Sequence, residues 1–365
     1  MFTHGTARRL LSYHRGVSHS RKGDAVLPPS HDMVYQVLWL QLAAGGRKEA
    51  LLGAGSEHAR MAPIPFIVGS KFPGVYLEFP LIGDPFLDVT VLYSQMEPGT
   101  RVHSEAAPDT GRMLDWYATV VAEHEGVNCG FELDTHEEVL PRAAVHFQPR
   151  QHLDLVEPFC ETIGEPEKAR LYLDLARRMP PGWDLSFFGL FRGRPQSPLR
   201  VCGYLGETEK DACGQDPARL KAVFDEIGFC AYDDAMLSQV CTLLQTSPKT
   251  CDFQLDVYPD GHLGDTFAID SSFKIERPEL VSDSFKRGPF AKLFGLFEQW
   301  GIADERWKLA ADAAFARGLP VEREDGSKGV VSLVLLPQWV KARWRNRVLQ
   351  PAKLYYLGSS DVIDG

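Results

Sequence analysis

The chain is 365 residues long, 44% apolar and 24% charged, enough to bury a substantial core in one large or two ordinary domains. A formal charge of −10 argues against nucleic acid or an anionic membrane as a partner, since both want a basic surface, and no apolar run approaches the roughly 20 residues of a membrane span. Seven cysteines without a CxxC pair or a signal peptide fit reduced thiols and a cytoplasmic setting. Among them Cys202, Cys213, Cys230 and Cys241, spaced by 11, 17 and 11, match no metal-ligand pattern and read as small buried hydrophobes.

Residues 1–31 set Arg8, Arg9, Arg15, Arg21 and Lys22 against a single acid, Asp24. They are expected to form a flexible basic tail, with a transit peptide as the alternative. Met33–Leu52 lacks proline and predicts a helix ending near Gly53. Val75–Pro80 and Leu87–Ser94 alternate as a first strand pair, and Gly111–Glu123 is helical in period. Asn128–Asp134 with Ala143–Arg150 is the second pair, followed by helical segments at 152–163 and 166–178. Trp183–Arg194 and Leu199–Leu205 make the third, and helices are expected at 217–227 and 233–245. The fourth, Cys251–Phe273, is the clearest: Phe253, Leu255 and Val257 alternate with polar residues, Pro259-Asp260-Gly261 turns the chain, and Phe267, Ile269 and Phe273 alternate again. Helices at about 284–300 and 304–317 precede a fifth pair, Val330–Arg345 and Ala352–Leu357.

Sorted by parity, each strand has an apolar face, such as Leu77 and Phe79, Val145 and Phe147, Leu185, Phe187 and Phe191, or Val340 and Trp344. The opposite face is polar: Glu78; Asp88 and Thr90; Glu132 and Asp134; His146, Gln148 and Arg150; Arg200 and Tyr204; Lys341, Arg343 and Arg345; Lys353 and Tyr355. Amphipathic helices need the apolar faces as partners, and closing the sheet removes its exposed edges. The expected fold is therefore α+β: a ten-stranded antiparallel β-barrel of five strand pairs, ringed by α-helices, wide enough to hold a cavity. The alternative is an open sheet whose polar face meets water. Lys341, Arg343, Lys353, Arg192, Arg200 and His146 would converge inside the barrel and call for an anion, and a diphosphate suits forked guanidinium groups.

The stretches QLDVYPDGHLGDTFAID (254–270), FFGLFRGRPQSPLRVCGYL (187–205) and LPQWVKARWRNRVLQPAKLYYL (336–357) carry a further reading. With five helix-flanked strand pairs, the chain resembles the ABBA (αββα, PT-barrel) prenyltransferases, aromatic or cyanobactin-type peptide enzymes, over roughly 64–357. The resemblance implies one barrel domain over 32–360. It also implies transfer of a prenyl group from a prenyl diphosphate to an electron-rich acceptor, an aromatic small molecule or a peptide side chain. In that reading His146, Arg192, Arg200, Lys341, Arg343 and Lys353 hold the leaving diphosphate, while Tyr204, Tyr258 and Tyr355 hydrogen-bond it and shield the allylic cation. Glu78, with Asp88 second, takes the acceptor proton. Phe188 and Leu190 line the prenyl pocket. Magnesium would come with the diphosphate, with no protein metal site. The competing readings are a non-catalytic barrel binding an anionic or amphipathic ligand, and a transferase or hydrolase on phosphorylated substrates with His146 as acid or base. The Gly-rich pieces at 43–46 and 53–55 lack Walker or Rossmann context.

Overall fold

A computed structural model describes residues 30–53, 56–108, 110–137, 140–322 and 326–364. The expected basic tail lies outside them up to residue 29, and its last residue, His31, already opens helix α1 (His31–Ala43). The strands are β1 (Gly74–Pro80), β2 (Asp88–Tyr93), β3 (Asn128–Leu133), β4 (Ala144–Gln148), β5 (Trp183–Leu190), β6 (Leu199–Leu205), β7 (Cys251–Val257) and β8 (Leu263–Ser272), followed by β9 (Phe315–Glu322), β10 (Lys328–Arg345), the two-residue β11 (Val348–Leu349) and β12 (Lys353–Asp364). Around the sheet β10, β12 and β1 to β8 follow one another in antiparallel pairing, and β8 returns to β10 with Thr266–Ser272 opposite Trp339–Arg345. Ten strands thus close on themselves, and no edge of the ring is left for another chain to pair with.

The remaining helices are α2 (Ser56–Met61), α3 (Gly111–Glu123), α4 (Val156–Thr162), α5 (Pro166–Arg178), α6 (Glu207–Gln215), α7 (Pro217–Ile227), α8 (Asp234–Thr246), α9 (Val281–Lys286), α10 (Ala291–Gln299) and α11 (Arg306–Ala311). Their ends follow local chemistry. Pro166 sits in the first turn of α5, Asp216 caps α7 and Asp233 caps α8 by accepting from the Met236 N–H at 2.8 Å, and Gly228 ends α7 in the left-handed region. The helices cover the outside of the barrel, where Leu77, Phe131, Phe147, Phe188, Phe267 and Trp344 are fully buried. One such contact, the stack of Phe147 on Phe159 of α4, has ring centroids 4.2 Å apart and planes within 9°.

Four expectations are corrected. The helix predicted over Met33–Leu52 breaks after Ala43, because Gly45 and Gly46 adopt positive φ, and resumes as a π-turn over Lys48–Leu52. The helix predicted over 284–300 is α9 and α10, separated by Gly288-Pro289. The helix predicted to run to 317 stops at Ala311, and Phe315–Glu322 is an extra strand. Gly318 and Pro320 disfavour helix there, and Pro320 is tolerated because β9 pairs only with β10. The fourth correction concerns parity in β5. A bulge between Leu185 and Phe187 puts Phe187 opposite Cys202 and Phe188 opposite Val201. Phe187 therefore shares the inner face with Cys202, while Phe188 and Leu190 face the helices.

Candidate active site

The lumen is built from the polar faces of the ten strands, and three groups of charged side chains meet in it. In the first, Lys353 on β12 forms an ion pair with Glu78 on β1 and lies 3.5 Å from Asp88 on β2. The register makes this local: Glu78 stands opposite both Tyr355 and Asp88. Burial works to raise the Glu78 pKa, but the Lys353 and Lys341 charges hold it below the ordinary carboxylate value. Burial pushes Asp88 up, against the pull of His136, whose Nδ1 is 2.7 Å from Asp88 Oδ1.

The second group spans β3 to β7. His146 Nε2 lies 3.0 Å from Glu132 Oε2, Arg194 reaches Glu132 at 3.2 Å and Asp134 at 2.7 Å, and Arg200 makes a forked contact with Asp256 at 2.9 and 3.2 Å. Two guanidinium groups lie over the Phe191 ring, Arg194 at 3.9 Å and Arg200 at 4.4 Å from its centroid. Against its burial, the His146 hydrogen bond and the nearby arginines hold Glu132 well below the ordinary value. Gly189 stands between His146 and Arg200 in the ladder; a β-carbon there would sit 2.7 Å from His146 Cε1, so glycine leaves room for the imidazole.

The third group is a cross-strand ladder, Lys353–Lys341–Asp270–Asp252–Tyr204, running over β12, β10, β8, β7 and β6. Lys341 Nζ donates to the Tyr355 hydroxyl at 2.6 Å and lies 3.9 Å from Asp270 Oδ1. Gln254 donates to Asp270 Oδ2 at 2.6 Å. Burial, and then the Asp270 charge, push Asp252 up to about 7; burial pushes Asp270 up to about 6. Beside this ladder Tyr76, Trp339 and Tyr355 form an aromatic wall, with ring centroids 5.1 and 5.5 Å apart.

Arg343 stands between the groups. Burial and the neighbouring Arg200 guanidinium lower its pKa, with the Glu78 charge acting the other way. Among the described residues its guanidinium makes no hydrogen bond and no ion pair. The expectation of an uncompensated cation cluster is therefore corrected: Lys353, Arg194 and Arg200 each have an internal carboxylate, and Arg343 does not.

The structure brings together Glu78, Asp88, His146, Arg200, Lys341, Arg343, Lys353 and Tyr355 in the lumen, puts Tyr204 at the exposed end of the ladder, and leaves the remaining expected site residues elsewhere. Arg192, beyond β5, lies 3.8 Å from Glu165 ahead of α5. Tyr204 is 38% exposed and stands opposite Asp252, four residues and about 13 Å along β6 from Arg200. Tyr258 falls in the β7–β8 turn, stacked on His262 at 4.8 Å in a surface depression of about 470 Å³ with Arg345 and Arg347. Phe188 packs on Phe147, Phe159 and Tyr172 in the helix-facing core, and Leu190 is buried on the same face. Strand parity put Phe191 on the apolar face and gave Arg194 no role, because both lie past the last residue of β5, where the alternation no longer holds.

Asp88, Asp134 and His136 bring three donor atoms within 4.8 Å of one another. Lys353 and His136 already occupy Asp88, and Arg194 occupies Asp134. This set, with an imidazole as third donor, does not fit magnesium, which asks for near-octahedral oxygen.

No family model matches the chain, and no curated protein sequence does. Among solved structures the chain is similar to 5-dimethylallyltryptophan synthase from Streptomyces coelicolor, at 13% identity and a TM-score of 0.49, over 90% of this chain and 96% of that one. It is also similar to the prenyltransferase PriB in its apo form, at 13% and 0.46 over 91% and 96%, and in its complex with product diphosphate, at 10% and 0.49 over 91% and 96%. No helix among the described residues is long and apolar enough to cross a membrane. By its own strand order, its closure and its ring of helices, the chain has the αββα barrel fold.

Proposed function

We propose that the chain is a prenyltransferase of the αββα family, which moves an allylic prenyl group from a prenyl diphosphate to an electron-rich acceptor, aromatic or peptidic, inside the barrel. The observation that carries this reading is Arg343, a lumenal guanidinium crowded by Arg200 and without a carboxylate or hydrogen-bond partner among the described residues. A diphosphate oxygen supplies the missing partner, and Lys341, Tyr355 and Arg200 stand within the same enclosure to share its charge. As the allylic carbon–oxygen bond breaks, charge builds on the leaving oxygen, and donors fixed in an enclosed site stabilise it with little reorganisation. The Tyr76–Trp339–Tyr355 wall offers ring faces to the allylic cation, and a closed barrel keeps water from capturing it as an alcohol. Magnesium is assigned no side chain and would arrive on the diphosphate.

The test is incubation with dimethylallyl, geranyl and farnesyl diphosphates, with and without magnesium, and a panel of aromatic small molecules and Trp-, Tyr- and Arg-bearing peptides. Mass spectrometry reads additions of isoprene multiples, and calorimetry reads inorganic pyrophosphate affinity. Losing one charge-assisted contact, about 1.5–3 kcal/mol, should weaken pyrophosphate binding of Arg343→Ala about 10- to 100-fold. Turnover would distinguish the enzyme from a non-catalytic carrier, which returns the diphosphate intact. No adduct and no pyrophosphate binding by the wild-type protein would sink the reading.

A further inference from the structure

Glu78 looks the natural proton acceptor by strand position, yet its carboxylate is engaged by Lys353 and held below its ordinary pKa. A base needs the opposite environment: a carboxylate whose charge is poorly satisfied, next to the place where the acceptor loses its proton. Among the described residues, a pair of carboxylates beside Lys341 has that environment.

Asp252 and Asp270 face each other directly across β7 and β8. The Asp270 side chain is 5% exposed, and its Oδ1 is buried without a hydrogen-bond partner; the nearest ammonium, Lys341 Nζ, is 3.9 Å away. An orphaned, buried carboxylate oxygen beside a second carboxylate is costly unless a proton is shared between them or a ligand donates to one of them. The site has an aromatic neighbour as well, because Trp339 stands opposite Ser272, two residues along β8 from Asp270.

We propose that the Asp252–Asp270 pair is the proton acceptor for the alkylated substrate. The assignment rests on the prenyl-transfer reading above. In the step, the bond from prenyl C1 to the diphosphate oxygen breaks with its electron pair leaving on oxygen, and the bond from C1 to the acceptor atom forms. The proton displaced from the acceptor passes to a carboxylate oxygen of the pair. Asp252, the less buried member, then releases it to solvent. Facing Asp270 are Lys341 on β10, Gln254 on β7, Arg200 and Cys202 on β6, and Glu78 on β1. Facing Asp252 are Asp270, Tyr204 on β6 and Lys274 beyond β8. The values of about 7 and about 6 for the two carboxyls put the pair's loss of a proton near neutral pH, where a base works best.

The experiment compares the full chain with Asp252→Asn, Asp252→Glu, Asp270→Asn and Glu78→Gln, using dimethylallyl diphosphate and the acceptor that the wild-type protein alkylates. Product formation is followed from pH 5 to 9, and inorganic pyrophosphate affinity is measured by calorimetry. Wild-type alkylation should fall on the acid side with an apparent pKa between about 6 and 7. Asp270→Asn should lose about 100-fold or more in alkylation while holding pyrophosphate within about threefold of wild type, which also shows that it is folded. Asp252→Glu, which keeps the carboxyl, should recover most of what Asp252→Asn loses. Alkylation within about threefold of wild type in both Asn variants, or an acid limb moved by Glu78→Gln alone, overturns the assignment while leaving prenyl transfer intact. A wild-type protein that neither binds pyrophosphate nor alkylates any acceptor overturns the prenyl reading and the assignment with it.

Discussion

Burying a charge is expensive unless a partner is buried with it, and the lumen follows that rule residue by residue. Lys353 has Glu78 and Asp88, Arg200 has Asp256, and Arg194 has Glu132 and Asp134. Asp252 and Asp270 are exceptions on the acid side, and for Asp252 the stability effect has a definite sign. Its pKa in the folded chain, about 7, lies above the unfolded value, so the native state holds the extra proton and stability falls as pH rises from about 4 through about 7. Asp252→Asn removes that penalty. It should be more stable than wild type by about 1–3 kcal/mol at pH 8, with the difference gone by about pH 4, in urea unfolding at the two pH values. A gain that is the same at both pH values would show that Asp252 does not titrate in this way.

At the scale of elements, the site depends on a single residue of register. The bulge before Phe187 reverses the parity of the second half of β5, so the outward residue is Phe188 and the inward one Phe187. Phe188→Ala should therefore cost about 3–5 kcal/mol, since it empties a pocket shared by Phe147, Phe159 and Tyr172. Phe187→Ala should cost about 1 kcal/mol or less and instead weaken retention of the longer prenyl diphosphates. Equal destabilisation by the two variants would contradict the bulge. Alternation in sequence does not reveal a bulge: Leu185, Phe187 and Phe191 keep period 2 whether or not the ladder slips, and only the pairing with Cys202 and Val201 shows that it does. The same limit applies to Arg194, beyond the last residue of β5, whose contacts come from the turn back toward β3.

For the whole molecule, closure decides whether there is a lumen. The seam is β8 against β10, and Ala342, fully buried on its outer face, pairs with Ile269. Proline at this position removes a ladder hydrogen bond in a strand bordered on both sides. Ala342→Pro should cost about 3 kcal/mol or more and lose pyrophosphate affinity with it, because Lys341 and Arg343 flank the position and Asp270 lies across the seam. A variant with normal melting and normal binding would show that the ring does not need this seam. Beyond the seam the first half of β10 stays paired with the end of β12 and takes β9 as its other neighbour, with a register shift between Pro337 and Trp339, so one 18-residue strand borders β8 along one half and β9 along the other.

Period-2 alternation with polar residues on one side of every strand, turn residues between members of a pair and amphipathic helices between pairs were enough, from sequence alone, to specify five hairpins, a closed barrel and a polar interior. The hairpins and the polar face are local properties, set by which face of a strand or helix can leave water, and closure was inferred from them because it removes the exposed edges. The same alternation put Glu78, His146, Arg200, Lys341, Arg343, Lys353 and Tyr355 inside. What only the tertiary structure decided is which of those charges cancel. Pairings such as Lys353 with Glu78 and Arg200 with Asp256 join residues far apart in the chain, and a Coulomb interaction depends on distance in space and on burial, neither of which is written along the sequence. Arg343, left unopposed, and Asp252 and Asp270, left unsatisfied, are what remain after that cancellation, and the proposed chemistry is built on them.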